Sequence, residues 1–71
     1  MPRHDIELEV VNHLLQEGGL RMERQKARIV SMERMRDDTA SSRIILKKLE
    51  EAQVRLKAQK EEIRKRLAKT V

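Results

Sequence analysis

Apolar residues recur in alternating steps of three and four along the first half of the chain. Leu8, Val11, Leu15, Met22, Ile29 and Met32 carry the pattern, and Gly18 and Gln25 hold its remaining positions. Ile45, Leu49, Ala52, Leu56, Gln59, Ile63 and Leu67 repeat it in the second half. Such steps, about 3.5 residues on average, line up one face of an α-helix and define the a/d seam of a coiled coil. No stretch sustains the two-residue alternation of a half-buried strand.

The two runs are separated by Arg36-Asp37-Asp38-Thr39-Ala40-Ser41-Ser42. Asp38 or Thr39 can accept a hydrogen bond from a free amide in the first turn of the following helix, and Asp37 and Asp38 suit the positive end of its dipole. Arg34 and Arg36 suit the negative end of the preceding helix. The pattern therefore predicts a helix over about residues 5–36, a turn at about 37–38 and a second helix over about 39–69. Neither glycine nor proline marks the turn, so a tight connection of about two to four residues between antiparallel neighbours is expected.

Folding about position 37–38 sets Ile29 near Ile45 or Leu46, Met22 near Ala52, Gly18 near Leu56, Val11 near Ile63 and Leu8 near Leu67. The same register brings Glu7, Glu9 and Glu17 alongside the basic stretch from Lys57 to Lys69. Gly18-Gly19 is the one weak point, since each helix-interior glycine costs roughly 1 kcal/mol relative to alanine. The heptad phase passes through the pair without a slip, which predicts an unbroken helix in which Gly18 admits the facing helix closely. The competing reading is a break, with helices near 5–17, 20–36 and 39–69.

One narrow seam recovers only part of the conformational entropy spent on ordering two long helices. Ile6, Val10, Leu14, Leu20, Val30, Met35, Ile44, Leu46 and Val54 also lie beside or beyond the seam. The expected architecture is an all-α, coiled-coil-like antiparallel two-helix hairpin that self-associates into a four-helix assembly, a homodimer or higher homo-oligomer.

Composition narrows the chemistry. The 71 residues contain no cysteine and no aromatic residue. That excludes disulfides, thiolate metal sites, a thiol nucleophile and aromatic platforms for stacking bases. The longest apolar runs, such as Ile44-Ile45-Leu46, fall far short of the ~20 residues of a membrane span. The start, Met1-Pro2-Arg3-His4-Asp5, has no apolar signal core. A cytoplasmic protein without a membrane span is expected.

The net charge of +5 is unevenly spread. Residues 1–17 set Arg3 against Asp5, Glu7, Glu9 and Glu17, whereas residues 20–36 and 54–71 are strongly basic. An acidic beginning and a basic end complement one another in a hairpin. Within the second helix, Lys47, Glu51 and Arg55, then Lys57, Glu61, Lys65 and Lys69, then Glu62 and Arg66, form four-residue charge ladders worth a few tenths of a kcal/mol per pair.

Glu17-Gly18, Arg21, Gln25, Ile29 and Met32, followed by Asp38-Thr39, Leu46, Leu49-Glu50 and Leu56, resemble a group of short uncharacterised alphaproteobacterial proteins. Those proteins read E-G-x-x-R-x-x-x-Q-x-x-x-I-x-x-L, then D-T-x-x-A, then L-L-x-x-L-E-x-x-L. The resemblance covers about residues 14–67. The family often has Gly-His before Asp-Thr and a histidine in the second helix, whereas this chain has Arg36-Asp37 and no histidine after His13. The resemblance implies a helical hairpin and nothing catalytic.

Glu9, His13 and Glu17 share a helix face, but the spacing differs from Glu-x-x-His and the second helix supplies no matching acid/His pair. A solvated face is the simpler reading, and no metal or cofactor is expected. Ser31, Ser41 and Ser42 have no base nearby in sequence, and Glu61-Glu62 point in different directions, so no catalytic set converges. Gln25 and Gln59 are polar residues at seam positions, either of the kind that specify register or simply an exposed edge of the seam. Arg21, Arg24, Lys26 and Arg28, with Arg55, Lys57, Lys60, Arg64, Lys65, Arg66 and Lys69, could contact phosphates, although no nucleic-acid-binding motif is present. A non-enzymatic interaction or structural module is the expected function, with an unidentified protein as a further partner. A small basic nucleic-acid-binding protein is the alternative.

Overall fold

The computed structural model describes residues 3–69, with side chains from Ile6 to Lys69. Helix α1 spans Arg3–Arg34 and helix α2 spans Ala40–Lys69. They pack antiparallel along their length. The all-α antiparallel hairpin is therefore the fold. Its extents are 56 × 17 × 12 Å and its radius of gyration is 16.5 Å, against about 11 Å for a compact chain of this length. Two parallel rods leave every helix with solvent on most of its sides. Among the described residues no helix is long and apolar enough to cross a membrane.

Helix α1 runs unbroken through Gly18 and Gly19, and neither has a positive φ. It ends in a Schellman turn. The Asp37 amide donates to the Met32 carbonyl at 2.9 Å and the Arg36 amide to the Glu33 carbonyl at 3.1 Å. This pairing satisfies carbonyls that the last helical turn leaves free. It places Arg36 in the left-handed region with φ 59°, a conformation that glycine adopts without the steric cost paid by a residue with a Cβ. Arg36 is thus outside the last turn of α1, and the connection runs through residues 35–39, longer than the expected two to four. The extra length is the Schellman turn itself, which reverses the chain before the next cap begins.

Two adjacent residues start α2 in different ways. The Asp38 carboxylate accepts from the Ala40 amide at 3.0 Å, while the Thr39 carbonyl accepts the first intrahelical bond, from the Arg43 amide at 2.9 Å. Thr39 is therefore the cap by its backbone, and its hydroxyl accepts from Arg43 Nε at 2.9 Å. Arg43 also reaches across the hairpin to Glu33 Oε1 at 3.0 Å. One guanidinium thereby ties the start of α2 to the end of α1.

The core is thin. Among the described residues Val11, Ile29 and Ile63 are the buried hydrophobic ones, and no side chain is completely removed from solvent. Around them Leu8, Leu15, Met22, Met32, Leu46, Leu49, Leu56 and Leu67 are half-buried.

Candidate interaction face

Every predicted seam position of α1 lies against α2: Val11 and Ile29 are buried, and Leu8, Leu15, Gly18, Met22, Gln25 and Met32 are half-buried. On α2 the covered stripe is Ser42, Leu46, Leu49, Gln53, Leu56, Lys60, Ile63 and Leu67. Leu49, Leu56, Ile63 and Leu67 belong to the predicted run, and Ala52 is half-buried beside Gln53. Ile45 and Gln59 do not belong: both are exposed, Ile45 at 49%. They sit one residue before the true contact positions, Leu46 and Lys60. Two neighbouring heptad strips on α2 have similar polarity, and the docked one begins at Ser42.

Polar bonds across the hairpin set the register. Gln25 on α1 donates from Nε2 to the Ser42 carbonyl on α2 at 2.8 Å. Gln53 on α2 donates from Nε2 to the Leu15 carbonyl on α1 at 3.0 Å. A helical carbonyl already engaged along its own helix has a second lone pair for such a bond. Gln25 thus bridges the helices, whereas the second bridge is Gln53 and not Gln59. Ser42, buried, donates from Oγ to Met32 Sδ at 3.3 Å, a seam role that its place near the helix start had concealed.

The glycine pair explains why Gln53 fits. A Cβ on Gly18 would lie 2.9 Å from Gln53 Cδ and nearer still to its Oε1. The missing Cβ is the space that the carboxamide occupies. The side chain that fills the notch at Gly18 is therefore Gln53, while Met32 with Ser42, Glu7 with Arg66 and Val11 beside Ile63 keep close to the simple fold about 37–38. Gln53 Oε1 is buried without a hydrogen-bond partner among the described residues, a cost of about 1–3 kcal/mol that the close approach of two helices must offset.

Charge complementarity is used sparingly. Of Glu7, Glu9 and Glu17, Glu7 reaches α2, with Arg66 Nη2 at 3.6 Å from its Oε2. That is an ion pair but too long for a hydrogen bond. Glu17 pairs instead with His13 Nε2 at 3.0 Å along its own helix. Among the described residues no three acidic, histidine or cysteine side chains converge on a metal-sized site. The ladder residue Glu61 meets Arg64 at 3.8 Å, an exposed pair of little energetic weight.

Beside the seam runs an open face. Val10, Leu14, Glu17, Arg21, Arg24 and Arg28 each precede an α1 seam residue, so they form one strip parallel to it. Ile45, Lys48, Ala52, Arg55, Gln59, Glu62 and Arg66 form the corresponding strip on α2. Grooves between the strips confirm that they share a face. Near the helix termini, Ile6, Val10 and Val11 face Ala58, Gln59 and Ile63 across a groove of about 590 Å³, flanked by Glu7, Glu62 and Arg66. Nearer the turn, Arg21, Arg24 and Arg28 face Ile45 and Leu49 across about 330 Å³. One end of the face is apolar with flanks of mixed charge, and the other is dominated by arginine. Among the described residues no ion pair holds Arg21, Arg24 or Arg28.

No protein-family model, curated protein or solved structure matches this chain.

Proposed function

We propose that this chain is a non-enzymatic helical module that acts by presenting helix surface to other helices, beginning with those of its own copies. The observation that carries the reading is the imbalance between what is buried and what is exposed. Among the described residues three hydrophobic side chains are buried, whereas Ile6, Val10, Leu14, Leu20, Ile44, Ile45 and Val54 are exposed. Burying apolar surface is worth about 25 cal/mol per Å², and a second hairpin is the simplest means of covering helices that have one neighbour each. The resemblance to the short alphaproteobacterial proteins bears on the hairpin that presents these surfaces. Their Gly-His before Asp-Thr would put glycine at position 36, where the backbone has φ 59°.

Sedimentation equilibrium with circular dichroism at micromolar concentration tests the proposal. The expected result is a helical species of two or more chains. A helical species that stays at the 8.4 kDa of one chain at all concentrations overturns it. The alternative, a small basic nucleic-acid-binding protein, draws support from the unpaired Arg21, Arg24 and Arg28. It requires retention on duplex or single-stranded nucleic acid that weakens steeply with salt, and absence of binding at low salt eliminates it.

A further inference from the structure

We infer that the occupant of the grooved face is the same face of a second copy, laid on it with the ends reversed. The inference rests on the self-association proposed above and specifies its surface and orientation. Near the termini the face carries Glu7, Glu17 and Glu62 against Arg55 and Arg66, with Glu7 and Arg66 paired to each other, together with apolar Ile6 and Val10. Near the turn it carries Arg21, Arg24, Arg28 and Lys48 around Ile45 and Leu49, with no carboxylate between them on either strip before Glu17 and Glu62.

Two copies stacked with like ends together would bring the arginine-rich ends into contact, which is repulsive across a desolvated surface. Reversing one copy places the arginines of each on the carboxylates of the other, and a two-fold axis across the middle of the face makes both contacts at once. The arginine stems also cover apolar surface while their guanidinium groups stay wet, so Ile6 and Val10 gain cover in the same arrangement.

The areas agree with a second copy. The chain exposes 5992 Å², whereas a compact monomer of its mass exposes about 4,600 Å². The excess, about 1,400 Å², is more than the ~800 Å² that each partner contributes to a standard stable interface.

The absence of cysteine makes the orientation directly measurable in the full chain. Asp37→Cys marks the turn and Lys69→Cys marks the other end. Donor-labelled D37C mixed with acceptor-labelled K69C is expected to show strong energy transfer, and D37C mixed with D37C weak transfer across about 45 Å, the length of α2 at 1.5 Å per residue. The exposed triple variant R21E/R24E/R28E is expected to dimerise about tenfold or more weakly while staying helical by circular dichroism. Mixing it with E17R/E62R restores association. A dimer with strong D37C–D37C transfer overturns the reversed orientation and leaves self-association standing. A reversed dimer indifferent to the charge variants overturns the choice of face. A monomer overturns both this inference and the proposal beneath it, including a monomer whose arginines bind nucleic acid.

Discussion

The carboxamide of Gln53 lies against Gly18 in the space where any other residue would carry its Cβ, and its Nε2 donates to the Leu15 carbonyl at 3.0 Å. The neighbouring Gly19 is different, with Gln53 Nε2 at 4.0 Å from its would-be Cβ, an ordinary contact. Helix propensity favours alanine over glycine by about 1 kcal/mol at either position. Gly19→Ala is therefore expected to stabilise the fold by about that amount. Gly18→Ala is expected to differ from it, because the new methyl displaces Gln53, which forfeits a hydrogen bond worth about 1 kcal/mol while freeing its buried Oε1. Urea unfolding checks the difference, and equal stabilisation by the two substitutions would refute the notch. In a Gln53→Ala background Gly18→Ala should recover the full propensity gain.

Arg36 is the one non-glycine residue with positive φ among those described. Arg36→Gly should raise stability by about 1 kcal/mol, since it relieves the left-handed penalty without removing an ion pair seen in the structure. A thermal melt showing a lower midpoint would contradict the Schellman assignment.

Two caps make separable contributions. Asp38→Ala removes the acceptor of the Ala40 amide and should cost about 1 kcal/mol. Arg43→Ala removes the bridge between Thr39 and Glu33, but both partners of its ion pair are more than half exposed, so about 0.5 kcal/mol is expected and it should shrink in high salt. A salt-independent loss at Arg43 would mean that packing, not charge, holds the turn.

Gln25 and Gln53 bridge the helices in opposite directions. Replacing both by leucine gives a wholly apolar seam, which should raise the midpoint of thermal unfolding while loosening register and oligomer choice. Sedimentation of Q25L/Q53L is expected to show more than one associated species. A single species identical in mass to the parent would remove the register role.

The seam of α1, from Leu8 to Met32, was legible because it alone keeps alternating steps of three and four over the whole helix, whereas the strip beside it turns from Val10 and Leu14 to Arg21, Arg24 and Arg28. The hairpin was legible for the same reason, together with the capping chemistry of Asp38 and Thr39. On α2 the sequence left two strips in competition: Ile45, Ala52 and Gln59 against Leu46, Gln53 and Lys60. Each pair offers similar polarity, and local periodicity has no means of ranking them. The choice depends on what the other helix presents, a notch at Gly18 and a carbonyl at Leu15, and on where the Schellman turn releases the chain. Amphipathic helices follow from the order of residues along one segment. Their register is a property of two surfaces in contact, and that only the tertiary structure decided.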